Sequence, residues 1–196
     1  KRTLITTDLL LEGIHFNLEY APLKHLGYKA AVVNFSDIYA MNATPTQITV
    51  SLGISKRFSV EDLEELYAGI RLACERYNVD LVGGDTSASM TGLTISITCL
   101  GTAYDSDIVY RDGAKVNDLI CVTGNLGTAY MGLQLLERER IVMNANDNKL
   151  HDTVDRLAFC QRKSAKDIEL TQENIPSYYE NGAATELVIV DSTVTA

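Results

Sequence analysis

The chain has 196 residues, of which 46% are hydrophobic and 22% are charged, a balance that is typical of a folded globular protein. This composition excludes an intrinsically disordered chain, a collagen-like repeat and a coiled coil. The 17 Lys and Arg residues against 26 Asp and Glu residues give a formal net charge of −9, which argues against non-specific binding to nucleic acid or to an anionic membrane.

The first half of the chain alternates β-rich and helical segments. Residues Leu4–Leu10 predict a strand that becomes polar at Asp8. A helix is predicted over Leu23–Asn34, because apolar residues such as Leu26 and Ala30 recur on one face. Further strands are predicted over Thr46–Ile54, Val79–Val82 and Leu93–Ala103.

The clearest helix signal covers Ser59–Tyr77. Ser59 is a good N-cap residue, and the acidic side chains of Glu61 and Asp62 lie in the first turn, where the helix dipole favours negative charge. Apolar residues follow at intervals of three or four residues along the segment. The pattern therefore predicts an amphipathic helix that packs one face on a sheet.

The second half of the chain gives weaker signals. Residues Leu119–Thr123 predict a strand and Thr128–Arg138 a helix. Beyond about residue 144 the pattern is uncertain, although Asp152–Lys166 is compatible with a helix and Glu186–Asp191 with a strand. Several β segments follow one another with little helix between them, so we expect an α/β (α+β) fold with a mixed sheet.

Three aspartates stand out by their positions. Asp8, Asp37 and Asp85 each come where a hydrophobic element is expected to end, next to small or hydroxylated residues. Neighbouring carboxylates repel each other unless they are protonated or bridged by cations. Oxygen ligands of this kind suit Mg²⁺, which often binds substrate phosphates as well. For any one of these aspartates taken alone, a helix cap or a turn is the better interpretation.

Other residues are compatible with phosphate binding. Gly83 and Gly84 follow a predicted strand, where their backbone N–H groups can face an anion. Lys29 and Arg111 are candidate phosphate partners, and His15 lies in the loop that leaves the first strand. The sequence contains no P-loop, no dinucleotide-binding glycine fingerprint and no serine-hydrolase nucleophile motif, so those three classes have no support.

Four segments in the same order resemble motifs of one protein family. Residues Thr6–Phe16 are similar to a signature of thiamine-monophosphate kinases, ending in Gly-x-His-Phe. Asn34–Pro45, Val82–Thr86 and Tyr110–Lys115 resemble motifs of the wider family that includes aminoimidazole ribonucleotide synthetase, selenophosphate synthetase and the hydrogenase maturation ATPase. The resemblance covers about residues 3 to 140.

This resemblance implies a fold and a set of site residues. Residues 1–113 would form an N-terminal domain that binds ATP and Mg²⁺ and dimerises through its sheet, and residues 114–196 would form part of a C-terminal α/β domain. His15 would contact thiamine phosphate, and Gly84, Asp85 and Arg111 would contact ATP. No side chain is assigned as a catalytic acid or base. The residues implied to hold Mg²⁺ are Thr6, Thr7, Asp8, Asp37 and Asp85.

The implied activity is the ATP-dependent phosphorylation of thiamine phosphate to thiamine diphosphate by a cytoplasmic homodimer. We expect no transmembrane helix, because no apolar run reaches about 18 residues, and no nucleic-acid partner. Two alternatives remain: another ATP-dependent enzyme, similar to aminoimidazole ribonucleotide synthetase or selenophosphate synthetase, or a non-catalytic nucleotide-binding scaffold. The chain departs from the family pattern at Asn42, where glycine is usual, and it lacks two acidic motifs of the family.

Overall fold

The computed structural model describes residues 1–122, 127–144 and 187–190. The chain divides into two units, Lys1–Gly113 and Ala114–Ala196, and the functions that the resemblance implies for them stay predictions. The first unit contains strands β1 to β4 and helices α1 and α2. In chain order these elements are β1 (Arg2–Leu11), α1 (Leu23–Ala40), β2 (Thr44–Ile54), α2 (Val60–Tyr77), β3 (Asp80–Ala88) and β4 (Thr94–Ala103).

The four strands form one mixed sheet in the order β1-β4-β2-β3. Strand β4 is antiparallel to both β1 and β2, whereas β2 and β3 run parallel. The parallel pair needs a crossover connection, and α2 supplies it. This arrangement confirms the predicted α+β fold with a mixed sheet. It also places β1 and β3 at opposite edges.

The two helices cover one face of the sheet. Alternate residues of β2 and β4 are buried, which is the period expected of strands with one covered face. The core beneath the helices includes Ile48, Val50, Leu52, Ile95 and Ile97 from the strands and Leu26, Phe35, Leu66 and Ile70 from the helices. The helix face of the sheet therefore holds the hydrophobic core of the first unit.

The other face, here called the open face, has no helix of the first unit on it. Thr7 pairs with Thr98, and Thr98 pairs with Thr49, so hydroxyl groups form a row across three strands. The side chain of Thr98 donates a hydrogen bond to Thr7 at 3.1 Å. On β1, Ile5 is 68% exposed and Leu9 is 53% exposed. Exposed aliphatic side chains on a sheet face are typical of an interaction surface.

Helix α2 begins and ends as its sequence predicts. The Ser59 side chain accepts a hydrogen bond from the Asp62 N–H, and the Asp62 side chain accepts one from the Ser59 N–H, which completes a capping box. The helix ends at Asn78, whose φ of 54° is left-handed. Asn42, which follows α1, also has a left-handed φ of 55°. An asparagine tolerates this conformation, and so it can replace the glycine that is usual at this position.

The described part of the second unit is small. Strand β5 (Leu119–Val122) pairs antiparallel with β6 (Leu187–Val190), and helix α3 spans Thr128–Asn144. The strand predicted over Glu186–Asp191 is confirmed, and α3 is six residues longer than predicted. The possible helix over Asp152–Lys166 lies outside the described residues.

Among the described residues, no helix is long and apolar enough to cross a membrane.

Candidate functional site

Two of the predicted aspartates lie side by side where α1 packs on β1. Asp8 is on the helix face of β1, and Asp37 is on the α1 turn above it. The Thr6 hydroxyl, also on this face, donates a hydrogen bond to Asp37 Oδ2 at 2.7 Å. Thr6, Asp8 and Asp37 are all partly buried. The structure thus brings together three of the residues that the resemblance implies as metal ligands.

The electrostatics of this pair favour a bound cation. Burial raises the pKa of Asp8, the negative charge of Asp37 raises it further, and the nearby His15 partly opposes the rise. A raised pKa means that the ionised carboxylate is destabilised where it stands. A divalent cation removes this cost, and carboxylate and hydroxyl oxygens are suitable ligands for Mg²⁺. The donor set of Thr6, Asp8 and Asp37 therefore fits the metal that the resemblance implies.

Asn34 holds β1 and α1 in register at this site. Because β1 is an edge strand, the N–H of Asp8 has no strand partner, and it donates to Asn34 Oδ1 at 3.1 Å. The amide nitrogen of Asn34 donates to the Ala30 carbonyl at 3.0 Å, and the side chain is completely buried. No role for Asn34 could be predicted from the sequence. Its only sequence signal is a polar residue on the apolar face of a helix.

Replacing Asn34 by Leu is expected to cost about 1–3 kcal/mol of unfolding free energy, because the partly buried N–H of Asp8 loses its acceptor. The same change should lower kcat/KM of the proposed reaction about tenfold, since it releases the backbone that carries Asp8. Thermal and urea unfolding measure the first effect. Asn42→Gly is the control, because that side chain makes an exposed bond to Asp107. Equal losses in both variants would contradict the positioning role of Asn34.

The turn that follows β1 presents His15 next to the acidic pair. The Leu11 N–H donates to His15 Nδ1 at 3.0 Å, and the His15 N–H donates to the Leu11 carbonyl at 2.9 Å. The ammonium of Lys29 donates to the His15 carbonyl at 3.0 Å, and burial lowers the pKa of Lys29. Two of the polar groups suggested by the sequence, His15 and Lys29, are therefore in direct contact.

The remaining predicted ligands lie elsewhere in the first unit. Thr7 is on the open face, whereas its neighbours Thr6 and Asp8 are on the helix face. Asp85 lies on β3, where it pairs in register with Ser51 of β2, and three strand spacings, about 14 Å, separate β3 from β1. Within the described residues, no group of three or more His, Cys, Asp or Glu side chains could hold a metal ion. One copy of the first unit thus assembles two of the three aspartates.

Gly84 and Arg111 belong to two further segments. Gly84 pairs with Val50 just after the register shift between Ile48 and Thr49, and a Cβ at Gly84 would overlap the Val50 carbonyl oxygen. Only glycine fits at Gly84, so this glycine serves strand packing as well as any phosphate contact, whereas a Cβ at Gly83 would meet nothing within 4 Å. Arg111 is exposed in the turn after β4. The structure shows neither residue beside Asp8.

The interpretation that the aspartates stand at the ends of elements is wrong. Asp8 lies inside β1, Asp85 inside β3, and Asp37 inside α1, which continues six residues beyond the predicted end at Asn34. Polar residues are tolerated in β1 and β3 because both are edge strands. The strand predicted over Val79–Val82 likewise continues beyond its predicted end, to Ala88. The aspartates are therefore held by regular secondary structure.

Comparisons with known proteins point to one family. The model of the family described as AIR synthase related protein, N-terminal domain, matches residues 1–103. The thiamine-monophosphate kinase of Bacillus subtilis (strain 168) is 34% identical over 143 residues, which are 73% of this chain and 44% of that protein. The crystal structure of thiamine monophosphate kinase from Aquifex aeolicus matches with a TM-score of 0.64 and 34% identity, covering 80% of this chain and 56% of that one.

A structure of AaThiL complexed with AMPPCP and TMP also matches, with a TM-score of 0.65 and 33% identity. It covers 84% of this chain and 50% of the solved one. The chain therefore spans about half the length of the relatives that it matches. The acidic pair and the His15 turn both lie within residues 1–103, the part that the family model matches.

Proposed function

Because this chain belongs to the family of AIR synthase related proteins, we propose that it is the nucleotide-binding part of an enzyme that phosphorylates thiamine phosphate with ATP. The resemblance to thiamine-monophosphate kinases, first seen in four motifs, is confirmed by the curated relatives and solved structures. The solved complex of AaThiL with AMPPCP and TMP holds a nucleotide analogue and TMP together. The observation in this chain that carries the proposal is the Asp8–Asp37 pair beside His15.

The proposed reaction needs no general base. The acceptor phosphate of thiamine phosphate is largely ionised near neutral pH, since its second pKa is about 6. One of its oxygens attacks the γ-phosphorus of ATP and forms a new P–O bond. The bond from the γ-phosphorus to the bridging oxygen breaks, and its electron pair leaves with ADP. Because the attacking oxygen is already ionised, the site can have carboxylates and an imidazole without a catalytic acid or base.

The chemical obstacle is the approach of two polyanions to an acidic protein. Thr6, Asp8 and Asp37 would hold Mg²⁺, which neutralises negative charge on the phosphates when it is bound. His15 and Lys29 would orient the acceptor phosphate, and Gly84 and Arg111 would contact ATP. Positioning and charge neutralisation together then account for most of the catalysis. We propose that this reaction takes place in the cytoplasm, since both of its substrates are soluble.

We also propose that the enzyme works as a homodimer in which Asp85 and Thr7 of one copy complete the acidic site of the other. The open face supports this proposal, because it presents Ile5 and Leu9 to solvent on β1 and carries Asp85 at the opposite edge. In a two-fold symmetric dimer, edge strand β3 of one copy can adjoin edge strand β1 of the other. Asp85 would then lie on the open face and Asp8 on the helix face of neighbouring edge strands, so the two carboxylates would meet around the strand edge and not within the contact between the open faces.

An intersubunit complementation experiment tests this arrangement. Asp8→Asn and Asp85→Asn chains carrying different tags are co-expressed, and the mixed dimer is isolated through both tags. Each variant alone should lose nearly all activity, whereas the mixed dimer should regain about half of the wild-type activity, because one of its two sites is intact. Failure to co-purify would contradict the dimer. Co-purification without recovered activity would contradict the shared site.

The activity itself is tested with the purified full-length protein, ATP and Mg²⁺. We expect formation of thiamine diphosphate and ADP in equal amounts from thiamine phosphate. Selenide and an amide ribonucleotide serve as competing acceptors, with ADP release as the common measurement. ADP release with one of those acceptors would assign the chain to another enzyme of the same family. ATP binding without turnover of any acceptor would favour a nucleotide-binding scaffold.

A further inference from the structure

The residue that follows β1, Glu12, joins three separate segments of the first unit. Its Oε2 accepts a hydrogen bond from the Leu93 N–H at 2.8 Å, and its own N–H donates to the Leu93 carbonyl at 3.1 Å. The guanidinium of Arg57, from the connection between β2 and α2, donates to Oε1. One carboxylate therefore links the end of β1 to the turn before β4 and to the start of α2.

This junction is built into the fold. The side chain of Glu12 is only 19% exposed. Gly92 has a left-handed φ of 100°, and a Cβ at that position would come within 2.7 Å of Glu12 Oε2. Burial alone would raise the pKa of Glu12, but the hydrogen bonds from Arg57 and Leu93 outweigh it and lower the pKa. The carboxylate is thus held in its ionised form by donors from both sides.

The junction closes the turn that carries His15. Glu12 forms a parallel bridge with Phe16, and the Gly13 N–H donates to the Phe16 carbonyl at 2.8 Å. Gly13 adopts a φ of 80°, and the Phe16 side chain is buried with 8% exposure. Both ends of the turn are therefore fixed, and His15 lies between them.

The turn also selects one tautomer of His15. Its Nδ1 accepts the N–H of Leu11, so Nδ1 carries no proton in that arrangement. In a neutral imidazole the proton then lies on Nε2. The turn thus offers an N–H donor beside Asp8 to an incoming acceptor oxygen, with Lys29 bonded to the same residue's carbonyl.

We propose that Glu12 is a positioning residue, whose carboxylate fixes the turn so that His15 presents its Nε2–H to an oxygen of the acceptor phosphate. Glu12 itself does not touch the ligand in this proposal. The identity of the ligand, a phosphate monoester, rests on the proposed function. The fixed tautomer does not, because it follows from the contacts of the turn alone.

The tautomer is measured directly by NMR on the full chain labelled with ¹⁵N-histidine. Spectra are recorded at about two pH units above the ordinary histidine pKa, and His15→Gln assigns the signal. The wild type should show His15 as the Nε2–H form only. Glu12→Gln should show a mixture of both tautomers, because the released turn loses the Leu11 contact. Arg57→Met removes only one of the donors to Glu12, so it should show a smaller proportion of the second tautomer. It is the variant to measure if Glu12→Gln does not fold.

Steady-state kinetics provide the second measurement. Glu12→Gln should raise KM for thiamine phosphate about tenfold and leave KM for ATP within about twofold. Glu65→Gln, which changes an exposed carboxylate on α2, is the matched control. The proposal is overturned if the variants keep the single tautomer, or if their KM for the acceptor equals that of the control. If the wild type does not turn over thiamine phosphate, the proposed function fails and the tautomer alone decides the role of Glu12.

Discussion

Replacing Asp8 by Asn is expected to lower kcat/KM for thiamine diphosphate formation by about 100-fold or more, and Asp37→Asn should do the same. Each change removes one carboxylate from the pair that would hold Mg²⁺, and the loss of such charge stabilisation typically costs several kcal/mol in the transition state. The assay is initial-rate kinetics at saturating Mg²⁺. Asp105→Asn is the control, because that carboxylate pairs with Arg2 in an exposed ion pair and should leave kcat/KM within about twofold.

The Asp8→Asn substitution should affect stability in the opposite direction. The pKa of Asp8 is raised in the folded protein, so its ionised form opposes folding at pH values above the folded pKa. This cost disappears as the pH falls below the unfolded pKa, where both states hold the proton. In EDTA at neutral pH, Asp8→Asn should therefore unfold at the same or a higher urea concentration than the wild type. A variant that lost both activity and stability would indicate damage to the fold and would contradict metal ligation as the cause.

Part of this site could be predicted from the sequence, because its local signals are strong. The Ser59 cap and the apolar spacing of α2 predict a helix that the structure confirms to within one residue. The long β-branched segment before Ala103 likewise predicts β4 closely. Both elements are set by neighbours that are near in sequence. In such cases periodicity and capping chemistry are sufficient.

The placement of the aspartates could not be predicted in this way. Polar residues at Asp8 and Asp85 break the apolar pattern, and the pattern therefore indicates the end of a strand. In the structure they continue edge strands, where a polar side chain costs little. Asp37 lies inside α1 because Phe35 and Ile38 extend the buried face of the helix. The sheet order, which separates Asp85 from Asp8, depends on long-range pairing that local spacing does not encode.

The support of His15 illustrates the same limit. Glu12 and Asn34 both belong to segments that resemble family motifs, yet nothing in the spacing shows what either side chain contacts. Their partners, Leu93 and Arg57 for Glu12 and the Asp8 N–H for Asn34, are distant in sequence. The groups proposed to meet the ligand could therefore be predicted from the sequence. The residues that hold those groups in place became visible only once the strands and helices were assembled.

The largest effect on folding is expected at the crossing of the two helices. Gly27 of α1 faces the backbone of α2, and Gly69 of α2 faces the backbone of α1. A Cβ at Gly27 would overlap the Leu66 carbonyl oxygen, and a Cβ at Gly69 would overlap the Lys24 carbonyl oxygen. The helices approach this closely because neither glycine has a side chain. Alanine favours a helix by about 1 kcal/mol over glycine, so propensity alone predicts a gain from either substitution.

Close packing should reverse that gain in Gly69→Ala. The added methyl group meets backbone, which cannot move aside as a flexible side chain would, and overpacking of a core costs about 1–3 kcal/mol or more. We expect Gly69→Ala to lower the unfolding free energy by at least about 2 kcal/mol in urea titrations. Because α1 carries Asn34 and Asp37, the forced separation of the helices should also lower kcat/KM. Gly132→Ala in α3 is the matched control, because nothing lies within 4 Å of its added Cβ. Equal stability of the two variants would mean that the helices can separate without cost, and that the acidic pair does not depend on how closely they pack.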